Sequence, residues 1–409
     1  MKEVAARKIV FVNRYFHPDQ SATSQLLTDI ASALAESGVQ VHVVCSRQRY
    51  DDPDARLRSR DWVAGVAVSR VWTSRFGRDH LLGRAVDYAT FYVSSGFALL
   101  RLLKRGDTIV AKTDPPLISI VAMGAAKVKG AQLINWLQDI FPEVASLLGA
   151  NPLPRPLDSL LRYVRDQSLR AARNNVVLGE RMRERLLLLG VDLRKIHIIE
   201  NWAQRNLEAP KPAHLSTLRS SLDLGGRFVV CYSGNLGRAH EFQTLLGAAE
   251  ILKNDAAIAF LMIGGGIGMT QLSCAVAERG LPNFRFLPYL PRESLRDGLA
   301  AANVHWVSLN PSLEGYIVPS KFYGILAAAR PVVFIGDPDG ELSRVIRTAH
   351  CGASVAVGDV GGLVRVLGDL KADPERVERE GLNGYRRYCE RYSAQRAIEE
   401  WKRIVRVER

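Results

Sequence analysis

The feature of this chain that most limits its fold is an alternation of short apolar runs with amphipathic stretches, and the alternation occurs twice. Ile9, Val10, Phe11 and Val12 form an apolar run that ends in a polar loop. Residues 24–37 follow with helical spacing of Leu26, Leu27, Ile30, Ala33 and Leu34, and residues 39–45 read as the next strand. A crossover of that length requires the two strands to be parallel if they share a sheet. Further strands are predicted at 108–112, 132–137 and 175–178, with helices at 86–103, 117–127 and 157–172. After a stretch at 201–224 that holds Pro210 and Pro212 and reads as a linker, the series starts again. Its strands fall at 228–232, 258–263, 284–286, 305–309 and 332–335, and its helices at 242–252, 269–277, 293–301 and 321–328. The expected fold class is α/β, with two tandem Rossmann-like domains whose parallel sheets face a central cleft, where ligands gather at the carboxyl ends of the strands.

Composition narrows the function classes. With 409 residues, 47% of them hydrophobic and 24% charged, the chain is globular and long enough for two cores. Residues 1–205 hold 30 Lys and Arg against 20 Asp and Glu, whereas residues 206–409 hold 25 against 22. The positive excess in the first half suits phosphate-bearing partners: nucleic acid, an anionic membrane face, or diphosphate-linked lipids and nucleotides. The five cysteines are dispersed and include no CxxC pair, which reads as reduced and cytosolic. The N-terminus lacks the architecture of a secretion signal. The two most apolar stretches, at 97–103 and 115–126, fall short of the roughly 20 residues that span a bilayer.

Five segments carry the candidate chemistry. Tyr232-Ser-Gly-Asn-Leu-Gly-Arg238 joins a strand to a helix, so Gly234 and Asn235 offer backbone approach to an anion and Arg238 adds a charge. A tight turn needing positive φ is the simpler account. Gly264-Gly-Gly-Ile-Gly268 has Met269 where the dinucleotide fingerprint wants its third glycine, so it reads equally as a turn or as the wall of a nucleotide pocket, with Gly265 its candidate contact. In 312–327, Glu314 lies in a loop and Ser320 and Lys321 open a helix. That arrangement suits a diphosphate beside sugar hydroxyls; the alternative is a capping serine and a surface lysine. In 13–24, Ser21, Thr23 and Ser24 are helix caps or phosphate donors, and His17, before Pro18, could be only a loop residue. In 135–143, Asp139 could orient or deprotonate an acceptor hydroxyl or merely cap a helix, and Asp114 in 112–116 competes with it.

Together these segments resemble glycosyltransferase family 4, of the two-Rossmann-domain architecture called GT-B, and within it the bacterial polysaccharide enzymes of colanic-acid and O-antigen type. The likeness rests on Tyr15-Phe-His-Pro-Asp-Gln-Ser-Ala-Thr23, Thr113-Asp-Pro-Pro116, Gln138-Asp-Ile-Phe-Pro142, Tyr232-Ser-Gly-Asn-Leu236, Val318-Pro-Ser-Lys321 and Ala328-Ala-Arg-Pro-Val-Val333. The resemblance implies an acceptor-binding domain at 1–205, a nucleotide-sugar domain at 206–384, and a C-terminal helix at 385–409 that crosses back to the first. It implies a retaining, metal-independent hexosyltransferase, with no cofactor because the nucleotide sugar, a UDP-sugar by preference, is a substrate. The acceptor is expected to be lipid-linked, a polyprenyl diphosphate sugar, or a saccharide. Asp139 and Glu314 would be catalytic. Ser21, Thr23, Gly234, Asn235, Arg238, Gly265, Tyr289, Ser320 and Lys321 would bind the donor. The family's second glutamate is missing, since Phe322, Tyr323 and Gly324 occupy its region, and His240 and Glu241 stand near the place of its usual lysine.

The expected location is cytoplasmic, peripheral at the inner face of the plasma membrane. Arg75, Arg78, Arg84, Arg101, Lys104 and Arg105 around the apolar run 89–103 suit an anionic bilayer, although a buried amphipathic helix with charged ends accounts for the same pattern. Three rival functions stand beside the transferase: a nucleotide-sugar epimerase of the same architecture, a non-catalytic scaffold of a polysaccharide assembly complex, and a nucleic-acid-binding module. The last is disfavoured, because the aromatics are dispersed and no recognition signature is present.

Overall fold

The structure is a computed structural model that describes residues 8–77, 81–149, 153–203 and 210–405. The chain divides into two compact units, residues 1–200 with 397–409, and residues 201–396. The division falls at Glu200/Asn201 rather than 205/206, and the return to the first unit begins at Ala397 rather than at 385. The stretch before Ala397 stays with the second unit because Tyr392 packs edge-on against Phe322 and Tyr323 there.

Among the described residues the first unit holds an eight-stranded sheet in the order β3-β4-β2-β1-β5-β6-β7-β8. Its strands are β1 (Ile9–Val12), β2 (Val41–Ser46), β3 (Arg60–Val63), β4 (Val66–Val71), β5 (Thr108–Lys112), β6 (Gln132–Trp136), β7 (Asn174–Val177) and β8 (Ile196–Ile198). All neighbours pair in parallel except β3 with β4. That hairpin turns through Ala64 (φ 46°) and Gly65 (φ 80°), a two-residue loop with both central residues left-handed. Alternate strand residues serve different cores. Val10 and Val12 join Val44, Ile109, Ala111 and Leu133 on one face. Phe11 faces the other way, where Trp401 of the final helix Ala394–Val405 packs 6.3 Å from it and 4.7 Å from Trp136, centroid to centroid.

The second unit holds a six-stranded, all-parallel sheet in the order β11-β10-β9-β12-β13-β14. Its strands are β9 (Phe228–Asn235), β10 (Ile258–Gly265), β11 (Phe284–Leu287), β12 (Val304–Ser308), β13 (Val332–Gly336) and β14 (Gly352–Ala356). Phe228, Val230 and Tyr232 enter one core with Phe260 and Met262, while Val229 and Cys231 enter a second with Ala259 and Leu261. A period of two feeding apolar side chains to both faces is what a doubly wound sheet requires. The segment at 210–224, expected to be linker, carries the short helix Thr217–Ser221, held by Asp297, which accepts from the Thr217 and Leu218 amides at 3.1 and 2.8 Å.

Trp401 is fully buried and covers the face of the first sheet that Phe11 and Trp136 present. Trp401→Ala should therefore destabilise the first unit by about 3–5 kcal/mol. Urea unfolding measures the loss, and hydrogen exchange should accelerate in β1 and β6 before it does in β9 and β10.

Candidate active site

In the second unit the candidate residues come from the carboxyl ends of β9, β10 and β12. Gly234 and Gly264 are register partners, and both have positive φ, 133° and 124°. A Cβ at 264 would stand 2.2 Å from the Gly234 carbonyl oxygen, and one at 266 would stand 2.8 Å from the Leu236 carbonyl oxygen. These glycines are therefore required by backbone contact between two strand ends. The approach also leaves room over Gly234, which Lys321 fills: a Cβ at 234 would lie 2.5 Å from Lys321 Cε.

Lys321 begins the helix Lys321–Ala327. Its Nζ lies 5.3 Å from the centre of the Tyr232 ring, and burial lowers its ammonium to about 8. Ser320 before it is exposed and makes no side-chain cap bond, so its hydroxyl is not spent on its own helix. Asn235, the last residue of β9, and Arg238, on the loop after it, are both exposed. That loop is pinned to the end of β12: His240 Nδ1 is 2.6 Å from the Ser308 carbonyl, the Glu241 amide donates to Ser308 Oγ at 3.1 Å, and the Asn310 amide donates to the Ala239 carbonyl at 2.9 Å. Because a carbonyl only accepts, His240 carries its proton on Nδ1. Burial, reinforced by Lys321, lowers its pKa to about 4, so the ring is neutral at physiological pH. Gly265 and Tyr289 are brought together, the exposed Tyr289 ring standing 3.1 Å from where a Cβ on Gly265 would lie.

Glu314 is buried, and its Oε1 accepts the Glu341 amide at 2.8 Å, at the first residue of the helix Glu341–Ala349. Its other oxygen stands 2.6 Å from the position of a Cβ on Gly340. A carboxylate on the amides of a helix start is stabilised there, so Glu314 ties its own loop to that helix.

In the first unit Ser21 precedes the helix Ala22–Glu36, and both its amide, at 2.8 Å, and its hydroxyl donate to Asp19 Oδ1. Asp19 is buried, and its second oxygen takes the Tyr50 amide. Thr23 is half-buried in the first turn of that helix. Asp139 follows β6; burial, with the Asp114 charge behind it, raises its carboxyl to about 7, and the Thr113 hydroxyl opposes that rise. A carboxyl poised near neutrality can accept and return a proton.

Two groups escaped the sequence reading. The sequence marks His240 only as standing near the place of an expected lysine, and its bond to Ser308 depends on a strand far away in the chain. Lys112, at the end of the apolar run of β5, is 1% exposed with Nζ 3.4 Å from the centre of the Trp136 ring. A lysine closing an otherwise apolar buried strand is the signal that would have found it.

Residues 23–202 match the family model described as glycosyl transferase 4-like domain. The chain is 26% identical over 298 residues, 72% of its length and 74% of the relative's, to WbjE of Pseudomonas aeruginosa, which carries the name of a glycosyltransferase. It is 23% identical over 353 residues, 83% of its length and 86% of the relative's, to WcaI of Escherichia coli, which carries the name of a colanic acid biosynthesis glycosyl transferase. Among solved structures, sucrose-phosphate synthase from Thermosynechococcus elongatus superposes with a TM-score of 0.77 at 16% identity, covering 97% of this chain and 98% of that one. HepE of Anabaena, solved with UDP-glucose, gives 0.72 at 15% identity, covering 97% and 99%. Fold and matches define the class: the chain is a glycosyltransferase of GT-B type. Within that class it resembles the family 4 enzymes of colanic-acid and O-antigen type.

The backbone contact at β9 and β10 predicts unequal costs for two adjacent substitutions. Gly264→Ala drives a methyl into a carbonyl at positive φ and should cost roughly 2–5 kcal/mol. Gly265→Ala meets only the exposed Tyr289 ring and should cost under about 1 kcal/mol. Urea midpoints of the two variants check the contrast.

Proposed function

We propose that this chain transfers a sugar, with retention and without a bound metal, from a nucleotide diphosphate sugar to a lipid-linked or saccharide acceptor in bacterial cell-surface polysaccharide synthesis. The observation that carries the donor side is the seating of the Lys321 side chain on the Gly234 backbone, next to the unspent Ser320 hydroxyl. An ammonium whose pKa burial has lowered to about 8 gains from an anion beside it, and a diphosphate supplies one. Arg238 adds a second cation on the loop pinned beside it. Both would stabilise the charge that grows on the departing diphosphate, whose oxygen assists deprotonation of the acceptor hydroxyl, so no protein nucleophile is needed. UDP is the favoured nucleotide, in keeping with the UDP-glucose bound by HepE. Gly234, Asn235, Gly265 and Tyr289 would line the nucleotide, Ser21 and Thr23 would meet phosphate oxygens, and Glu314 would offer its remaining acceptor capacity to sugar hydroxyls. Asp139 would orient the acceptor.

A surface of the first unit supports a lipid-borne acceptor. The helix Leu81–Leu102 exposes Leu82, Val86, Val93 and Phe97 along one side, and Trp72 and Phe76 are exposed before it. Arg75 is exposed nearby in sequence, and Arg101, Lys104 and Arg105 follow the apolar side; Arg84 is half-buried and Arg78 lies outside the described residues. Apolar side chains bordered by cations suit the interface of an anionic bilayer. No described helix is long and apolar enough to cross a membrane.

Calorimetry should find UDP binding that weakens about tenfold or more in Lys321→Met. Affinity should also fall as pH rises through about 8, where the free lysine loses its proton, and this pH dependence should flatten in the variant. Absence of binding by any nucleoside diphosphate would overturn the donor site proposed around Lys321. Flotation with vesicles containing phosphatidylglycerol should capture the protein and lose it in Phe97→Glu combined with Arg101→Glu and Lys104→Glu; capture that is unchanged would remove the membrane surface.

A further inference from the structure

Three buried polar atoms of the first unit, Lys112 Nζ, Asn135 Oδ1 and Asp139 Oδ1, have no hydrogen-bond partner among the described residues and belong to residues that line one small cavity. The cavity has a volume of about 30 Å³ and is otherwise walled mainly by apolar groups, among them Leu137, Phe141 and Leu169. A void of roughly 10–15 Å³ by this measure already admits a water, provided two to four polar partners surround it.

The chemistry of the three groups selects the occupant. The Trp136 face, 3.4 Å from Lys112 Nζ, replaces part of the lost hydration but accepts no directed bond from most of the three ammonium protons. The Asn135 amide has its orientation fixed, since Nδ2 donates to Asn175 Oδ1 at 3.0 Å and to the Ser168 carbonyl at 3.3 Å, which leaves the oxygen as the unused atom. One donor and two acceptors therefore need a partner that both accepts and donates. A cation is repelled by the lysine and an anion by the carboxylate, whereas a water accepts from Lys112 and donates to Asn135 and Asp139.

We infer that this cavity is a binding site for one internal water that joins Lys112 to Asp139, and that Lys112 is the positioning residue that holds the Asp139 carboxylate. The inference rests on the reading of Asp139 as the acceptor-orienting group. Other ionisable groups bear on the pair from the packed elements. Asp114, on the loop after β5, pushes Asp139 up, and Asp114 and Asp29, the latter on the helix Ala22–Glu36, push Lys112 up against the strong lowering by burial. Arg165, on the helix Arg155–Ala171, lines the cavity but is already held by Glu143, Asp166 and the Phe141 carbonyl. A donor from Lys112 relayed by water favours the ionised carboxylate, so it counteracts the burial that raises Asp139 to about 7.

The test is an infrared pH titration of the full chain, with the protonated carboxyl band assigned to Asp139 by its loss in Asp139→Asn. In Lys112→Met the titration midpoint should move up by about one unit; an unmoved or lowered midpoint overturns the inference. A crystal structure of the wild type supplies a second reading should Lys112→Met fail to fold. One density peak bonded to Lys112, Asn135 and Asp139 supports the water site, and an empty cavity or a direct Lys112 to Asp139 bond overturns it. Neither readout uses a donor or turnover. An upward midpoint in an enzyme whose turnover tolerates Asp139→Asn would therefore keep the water site while taking Asp139 out of the reaction.

Discussion

A parallel sheet buried on both faces leaves polar chemistry few places other than beyond its strand ends, and that constraint organises both units of this glycosyltransferase. Phe228 to Tyr232 illustrate it: each residue belongs to one of two cores, so the first positions that can meet a ligand are Ser233, Gly234 and Asn235. The same holds for β6, whose Leu133 to Trp136 are buried before Asp139 follows. The site residues are therefore placed by apolar burial, at roughly 25 cal/mol per Å² of covered surface, and not by the bonds they make with one another.

Where two such strand ends approach closely, side chains must be absent, and this is what the glycines of the second unit accomplish. Gly234 and Gly264 touch through backbone, and the surface left over Gly234 is occupied by the Lys321 stem. A change in backbone at 264 is thus transmitted to the position of a cation at 321. Glu314 plays a comparable part, because its bond to the Glu341 amide ties its loop to another helix. Residues that are named for ligand chemistry here also carry structure, and substitutions at them will change both.

The alternating strands and helices were legible in the sequence because period-two apolar runs and 3.6-residue spacing are local signals. The hairpin of β3 and β4 was not, since its turn is Ala64-Gly65 where Asn-Gly would have announced it, and Arg60 to Val63 lack an apolar side. β14 was missed for a related reason: Gly352 closes against Val332 by backbone contact, which no side-chain pattern reports. For the site, motif residues could be placed at strand ends, but their partners could not. Nothing within a few positions of Glu314 signals Glu341, and nothing near His240 signals Ser308, because these contacts are made by loops that only the sheet order brings together.

Charge burial then separates groups that resemble each other in sequence. Lys321 and Lys112 both follow apolar or small residues, yet the first stands over a glycine at a strand end and the second is sealed against Trp136. Desolvation lowers both, but Lys321 stands half-buried at the strand end, whereas Lys112 is fully buried and must find its compensation within the fold. The Trp136 ring that partly supplies it also packs on Trp401, so the helix that ends the described chain supports the indole under a buried cation. The C-terminal helix is in this way coupled to the electrostatics around Asp139 through two indoles.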